Sequence, residues 1–203
     1  MKKIPVFLAL GILLAGAGPG LRAAQNDRPP RFSLCAGTGL FRPGAAEVRS
    51  MYGSSNLPWH VRFTARVDAH WFAFAGIRYL LADGTTVAEG AVLDPQQYDI
   101  RLSLLSLRGG VGYAWSSGPW SFSGCAGFAL GFFRETWPGT EILTKGRADG
   151  WLAGAAVDYM VSRVFGLQLR AEYADCPVRQ EGTIFASPPL GGWDVVLGLL
   201  IRF

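Results

Sequence analysis

Trp193-Asp-Val-Val-Leu-Gly-Leu-Leu-Ile-Arg-Phe203 is the stretch that decides the fold. Trp193, Val195, Leu197, Leu199, Ile201 and Phe203 occupy every second position. Period two sustained over such a length is one apolar face of a β-strand. A strand of about 9–11 residues with one wholly apolar face is the unit of a membrane-spanning barrel, where that face meets lipid. A soluble domain rarely stops in mid-strand on an aromatic residue, so Phe203 points the same way.

The other terminus agrees. Met1-Lys2-Lys3 is charged, Ile4 to Gly16 is a short apolar stretch, and Pro19-Gly20 breaks it before Leu21-Arg22-Ala23. This predicts a cleaved secretory signal peptide over residues 1–23, too short in its apolar part to span a bilayer as a helix. A short N-terminal segment (24–30) and a barrel (31–203) are expected to follow. Cys35 comes well after the apolar run, so a lipid-anchored N-terminus is not expected. Lys2, Lys3 and Arg22 account for three of the formal +4 charges. The basic balance therefore belongs largely to the leader and supports no nucleic-acid partner. No second long apolar run follows, so a membrane span must be built from strands, closed so that every backbone group is paired. Three cysteines cannot all pair, and Cys35, Cys125 and Cys176 match no metal-site spacing, which makes them small buried residues.

Along its length the chain predicts a meander. Strands are expected near Arg31–Phe41, Pro58–Val67, His70–Leu81, Tyr98–Trp115, Trp120–Phe133, Asp149–Val161, Phe165–Asp175 and Trp193–Phe203. Tight turns fall at Asp68-Ala69, Ser116–Pro119 and Ser162-Arg163. Longer loops fall at Arg42–Asn56, Ala82–Gln97, Arg134–Arg147 and Cys176–Gly191. The fold class is thus all-β, an eight-stranded antiparallel up-and-down barrel, and eight is the smallest strand count for which such barrels close. Short turns belong to the periplasmic side and long loops to the outside, which places both termini in the periplasm of a cell with an outer membrane.

The two faces differ. Val61, Phe63, Trp71, Ile77, Phe122, Phe128, Leu167 and Leu169 share the apolar face. Trp71, Tyr113, Trp115, Trp120 and Tyr159 fall near the turn ends, and Tyr79, Trp151, Tyr173 and Trp193 near the loop ends. Aromatic rings at both rims suit two membrane interfaces, so outer-membrane lipid is an expected partner. The opposite parity carries Arg62, Arg78, Arg108, Asp158, Gln168, Arg170, Glu172, Asp194 and Arg202, with Phe72, Phe74, Leu152, Met160 and Leu200 among them. Ionised groups are costly to bury unless paired, and eight strands leave an interior only wide enough for side chains. Arg62, Arg78, Arg108, Asp158, Arg170 and Glu172 are therefore expected to form a lumen charge network that plugs the barrel. Asp158 and Glu172 would face the arginines of the second, third and fourth strands.

Leu105-Ser-Leu-Arg-Gly-Gly-Val-Gly-Tyr113, Gly124-Cys-Ala-Gly-Phe-Ala-Leu-Gly-Phe132, Leu167-Gln-Leu-Arg-Ala-Glu-Tyr173 and Gly198-Leu-Leu-Ile-Arg-Phe203 resemble strands of the small outer-membrane β-barrel family. These are the porin-family or OmpA/OmpX-like barrel domains of Gram-negative-type bacteria. The resemblance implies that Phe203, on the terminal strand, is part of the signal read by the barrel-assembly machinery. The OmpA-type peptidoglycan-binding domain that follows some barrels of the family is not expected here, because the sequence ends with the eighth strand.

An enzymatic reading lacks its parts. Barrel hydrolases need a serine activated by histidine, and His60 and His70 lack the His-x-Ser spacing of lipid A deacylases. No Gly-Lys-Ser/Thr phosphate loop appears, and no catalytic, metal or cofactor site is expected. Two function classes remain: a structural or surface-interaction barrel, and a small pore or transporter for small solutes. The loops share no charge sign that would identify an external ligand.

Overall fold

The computed structural model describes residues 31–87, 97–179 and 189–203. The expected signal peptide (1–23) and the segment 24–30 lie outside the described residues, as do parts of two expected loops (88–96 and 180–188). The period-two alternation read above produces eight long strands. They are β1 (Phe32–Pro43), β2 (Trp59–Arg66), β3 (Trp71–Val87), β4 (Gln97–Ser117), β5 (Trp120–Thr136), β6 (Leu143–Met160), β7 (Phe165–Asp175) and β8 (Gly192–Arg202). Each pairs antiparallel with its sequence neighbours, and β1 pairs with β8, so the sheet closes into a barrel. A two-residue strand, Val178–Arg179, adds to the loop end of β6.

Register fixes the barrel's dimensions. Directly opposed residues run Ser33, Thr64, Phe74, Gly110, Gly127, Leu152, Ala174 and Gly192, and return to β1 at Pro43. One circuit is thus offset by ten residues. With about 4.8 Å between strands and about 3.4 Å per residue, that stagger tilts the strands by about 40° and gives a radius of about 8 Å. Such an interior holds side chains and little else.

Burial alternates as the sequence predicts. Val61, Phe63, Ile77, Phe128, Leu169, Leu197 and Leu199 are exposed on the outer face. Aromatic pairs mark its two rims. Trp71 meets Tyr113 edge-on at 5.4 Å and Trp120 meets Tyr159 at 4.7 Å near the turns, while Trp151, Tyr173 and Trp193 form a row near the loops. Tyr159 and Trp151 lie eight residues apart on β6, roughly 20 Å along the tilted axis, close to the height of an apolar membrane band.

Three loop boundaries differ from expectation. Ala82–Val87, Arg134–Thr136 and Leu143–Arg147 continue strands, because the ladder runs on after the apolar alternation fades. The stretch expected as a plain loop at Arg42–Asn56 contains a helix, α1 (Ala46–Tyr52). It turns Val48 and Tyr52, four residues apart, onto Phe41, Leu80, Ala82, Ile100, Leu102, Leu104 and Phe133. That apolar cluster fills the loop end of the lumen. At the other end, Gly118 at φ 58° starts the two-residue β4–β5 turn, a conformation that favours glycine.

Candidate functional site

The chemistry lies inside the barrel, at mid-height. Glu172 on β7 and Asp194 on β8 are directly opposed partners across the ladder, both about 1% exposed. Two carboxylates in that relation repel each other unless a cation is shared. Arg108 reaches across the lumen from β4 and supplies it. Its Nη1 donates to Glu172 Oε2 at 3.0 Å and its Nη2 to Asp194 Oδ2 at 2.7 Å. A planar guanidinium suits this two-acid bridge, because its donors sit in a fixed fork.

Three more arginines complete the cluster. Arg62 on β2 donates through Nη2 to Glu172 Oε1, and its guanidinium lies 4.0 Å over the Phe74 ring. Arg78 on β3 donates through Nε to Asp194 Oδ1 at 3.1 Å and stacks 3.9 Å over Phe41. Both stacks place a buried cation on an aromatic face, where the ring's negative quadrupole attracts it. Arg170 on β7 lies 3.5 Å from Glu172 and donates to Gln168 at 3.3 Å. Gly154, opposite Glu172 on β6, leaves this space open: a Cβ there would lie 2.5 Å from Glu172 Cγ.

Four buried guanidinium groups thus meet two buried carboxylates. Among the described residues, Arg78 Nη2, Arg108 Nε and Arg170 Nε have no hydrogen-bond partner. His60, buried beside the cluster, has its Nε2 3.7 Å from Asp194, too far for a hydrogen bond.

Of the residues expected from sequence to form the network, Arg62, Arg78, Arg108, Arg170 and Glu172 come together. Asp158 lies elsewhere. It is opposed to Gln168, four residues turnward of the Gly154–Glu172 pair, or about 13 Å along the strand. It accepts from Arg202 Nη2 at 3.0 Å and Gln168 Nε2 at 2.9 Å, and among the described residues it is linked to the core through Gln168 and Arg170. The expected pairing of Asp158 with Arg62, Arg78 or Arg108 is therefore corrected. The acid that takes Arg78 and Arg108 is Asp194, which alternation places on the inner face without giving it a partner. His60 is a neighbour that sequence reasoning did not supply; its one signal is the even parity it shares with Arg62 and Thr64.

The thiols of Cys35, Cys125 and Cys176 are free, with Cys35 and Cys176 buried. Cys125 Sγ lies 3.8 Å from Glu172 and 3.9 Å from Arg62. No group of three or more metal-ligating side chains occurs among the described residues. Phe203 caps the closing ladder, exchanging two backbone hydrogen bonds of 3.0 Å with Phe32.

No protein-family model matches this sequence, and no curated protein does. Solved structures do resemble its fold. The outer membrane protein OprG of Pseudomonas aeruginosa is 12% identical, with a TM-score of 0.63 over 87% of this chain and 97% of its own. Neisserial surface protein A is 12% identical, with a TM-score of 0.54 over 85% and 97%. Ail, the attachment invasion locus protein of Yersinia pestis, is 15% identical, with a TM-score of 0.53 over 87% and 100%. Ail has also been solved with a heparin analogue, sucrose octasulfate. At such identities the likeness is one of fold. This chain is an eight-stranded antiparallel up-and-down β-barrel, and it shares that fold with these small outer-membrane proteins.

Proposed function

We propose that this protein is an integral outer-membrane barrel with a structural or surface-interaction role, not an enzyme, and that its lumen is plugged. The observation that carries this reading is the lumen itself. The Arg108 bridge between Glu172 and Asp194 spans the barrel at mid-height, and the α1 cluster fills the loop end above it. With a radius of about 8 Å, side chains from opposite walls leave no continuous aqueous path. The exposed apolar band with aromatic rims supports lipid as its surroundings. Folds of the same type include a surface protein and an attachment protein, which fits a role for the loop ends at the cell exterior.

In this reading residues 1–23 direct export and are removed, 24–30 form a short leading segment, and 31–203 form the barrel. Both termini face the periplasm, and Phe203 contributes to recognition by the barrel-assembly machinery. A second reading, a small pore or transporter, draws on the excess of arginine in the lumen and on a recess open at the turn end. Single-channel recording in planar bilayers separates the two: silence is expected of a plugged barrel, and stable openings would establish the pore. Fractionation tests location, with heat-modifiable protein expected in the outer membrane; recovery in the soluble periplasm would overturn the reading. Deleting Phe203 is expected to lower the amount of folded barrel in that fraction, and wild-type amounts would remove its assembly role.

A further inference from the structure

Below the mid-lumen cluster, the turn end opens to solvent as a small recess. Its wall is chemically one-sided. Arg31, Arg66 and Arg202 enter it from the β1, β2 and β8 side, and Arg62 borders it from the core, whereas Asp158 is its one acid among the described residues. Asp158 is already occupied by Arg202 and Gln168. Arg31 and Arg66 make no ion pair among the described residues; Arg66 has only a 3.4 Å contact to the Ala69 carbonyl. Across the recess, the hydroxyls of Thr64 and Ser123 make no hydrogen bond among the described residues. Behind its floor stand the four guanidinium groups that meet two carboxylates, so the field from the core adds to that of the rim. A recess lined by one sign of charge, with low-dielectric walls, concentrates counter-ions. Fixed guanidinium forks and free hydroxyls are the donors that a tetrahedral oxyanion takes.

We propose that the turn-end recess binds one small oxyanion, phosphate in size and charge, held by Arg66 and Arg31 with Arg202 and the Thr64 and Ser123 hydroxyls around it. A lipid headgroup offers the same chemistry, but the recess opens inside the barrel wall, so the free anion is the occupant. The proposal rests on the plugged-barrel reading only for which side the recess faces. Its test in detergent does not depend on orientation, so the two fail separately.

The experiment is titration of purified, heat-modifiable barrel with inorganic phosphate at constant ionic strength, by calorimetry and by ³¹P line broadening. Saturable binding of one phosphate per barrel is expected, with chloride a poor competitor. Arg31→Gln combined with Arg66→Gln removes two side chains that make no ion pair among the described residues and should weaken binding at least about tenfold for each charge-assisted hydrogen bond removed. Arg163→Gln, on the β6–β7 turn outside the recess, should leave the affinity as in the wild type. Absence of saturable binding, equal competition by chloride, or unchanged affinity in the double variant would overturn the proposal. Repeating the titration in phosphatidylcholine and phosphatidylglycerol nanodiscs identifies the source. Equal affinities support a free anion, and loss only in phosphatidylglycerol would overturn that assignment in favour of a headgroup.

Discussion

At the loop end of the lumen, Phe41, Leu80, Ile100 and Leu102 pack beneath Val48 and Tyr52 of α1, while at the turn end Arg31, Arg66 and Arg202 surround a recess. The same eight strands build both ends with the same inward parity. The difference lies in what each strand places at each height. Toward the loops β3, β4 and β5 carry aliphatic and aromatic residues inward, and toward the turns β2, β5, β6 and β8 carry Thr, Ser, Asp and Arg. The salt-bridged layer between them belongs to neither end. The lumen therefore reads as a stopper at one end, a lock in the middle and a polar antechamber at the other.

The largest expected effect breaks the lock. Glu172→Ala leaves Arg62, Arg108 and Arg170 around an empty position, and a buried charge deprived of its partner costs about 3–5 kcal/mol. Urea unfolding of the barrel in lipid vesicles should show a decrease of that order. Arg62→Met in the same background should recover part of it, because one orphaned charge is gone. Additive effects in that double-mutant cycle would mean that the two residues are not coupled.

The next effect sharpens the contrast at the loop end. The Tyr52 hydroxyl donates to Glu135 Oε2, and Glu135 also accepts from Trp137 Nε1 at 2.9 Å. Tyr52→Phe should cost about 1.5–3 kcal/mol in unfolding, the range for a hydrogen bond to a charged group. Burial, reinforced by the Glu135 carboxylate, holds the Tyr52 phenol above its ordinary value of 10.0. Stability from this hydrogen bond is then full below pH 10 and declines as pH rises past it, since the unfolded phenol ionises first. A wild-type barrel that loses no more stability above pH 10 than Tyr52→Phe would contradict the buried lid.

The smallest effect lies at the turn end. Asp68 Oδ1 accepts the backbone N–H groups of His70 and Trp71, each at 2.7 Å, and these hold its carboxyl below the ordinary value of 3.8. Its contribution is present above the unfolded pKa and disappears as pH falls through the folded one. Asp68→Ala should lower the unfolding midpoint less than Tyr52→Phe does, with the gap to wild type closing in acid. An unchanged gap between neutral and strongly acidic pH would show that the charge plays no part.

The strand faces are legible in the sequence because a membrane barrel must alternate, and Val195, Leu197 and Leu199 repeat that rule without interruption. Height is not legible. Parity places Asp158, Glu172 and Asp194 on one face, but the ten-residue stagger decides which of them share a level. Alternation alone therefore favours Asp158 where Asp194 stands. The strands run several residues past the ends that alternation marks, because outside lipid neither face needs to be apolar. Helix α1 is hidden for a local reason. It has seven residues, and Ala45 at its N-cap offers no side-chain hydrogen bond, so its signals are slight: Val48 and Tyr52 four residues apart, Glu47 in the first turn and Gly53 at the C-cap.

The proposed plug seals the lumen from the loop end and leaves it open from the turn end. It is tested most directly by Ser123→Cys in a barrel whose Cys35, Cys125 and Cys176 are replaced by serine. Ser123 lines the recess below the lock. In vesicles of defined orientation, a small membrane-impermeant thiosulfonate should modify this position when added on the turn side and leave it unmodified when added on the loop side. Equal modification from both sides would establish a continuous path through the barrel and contradict the account.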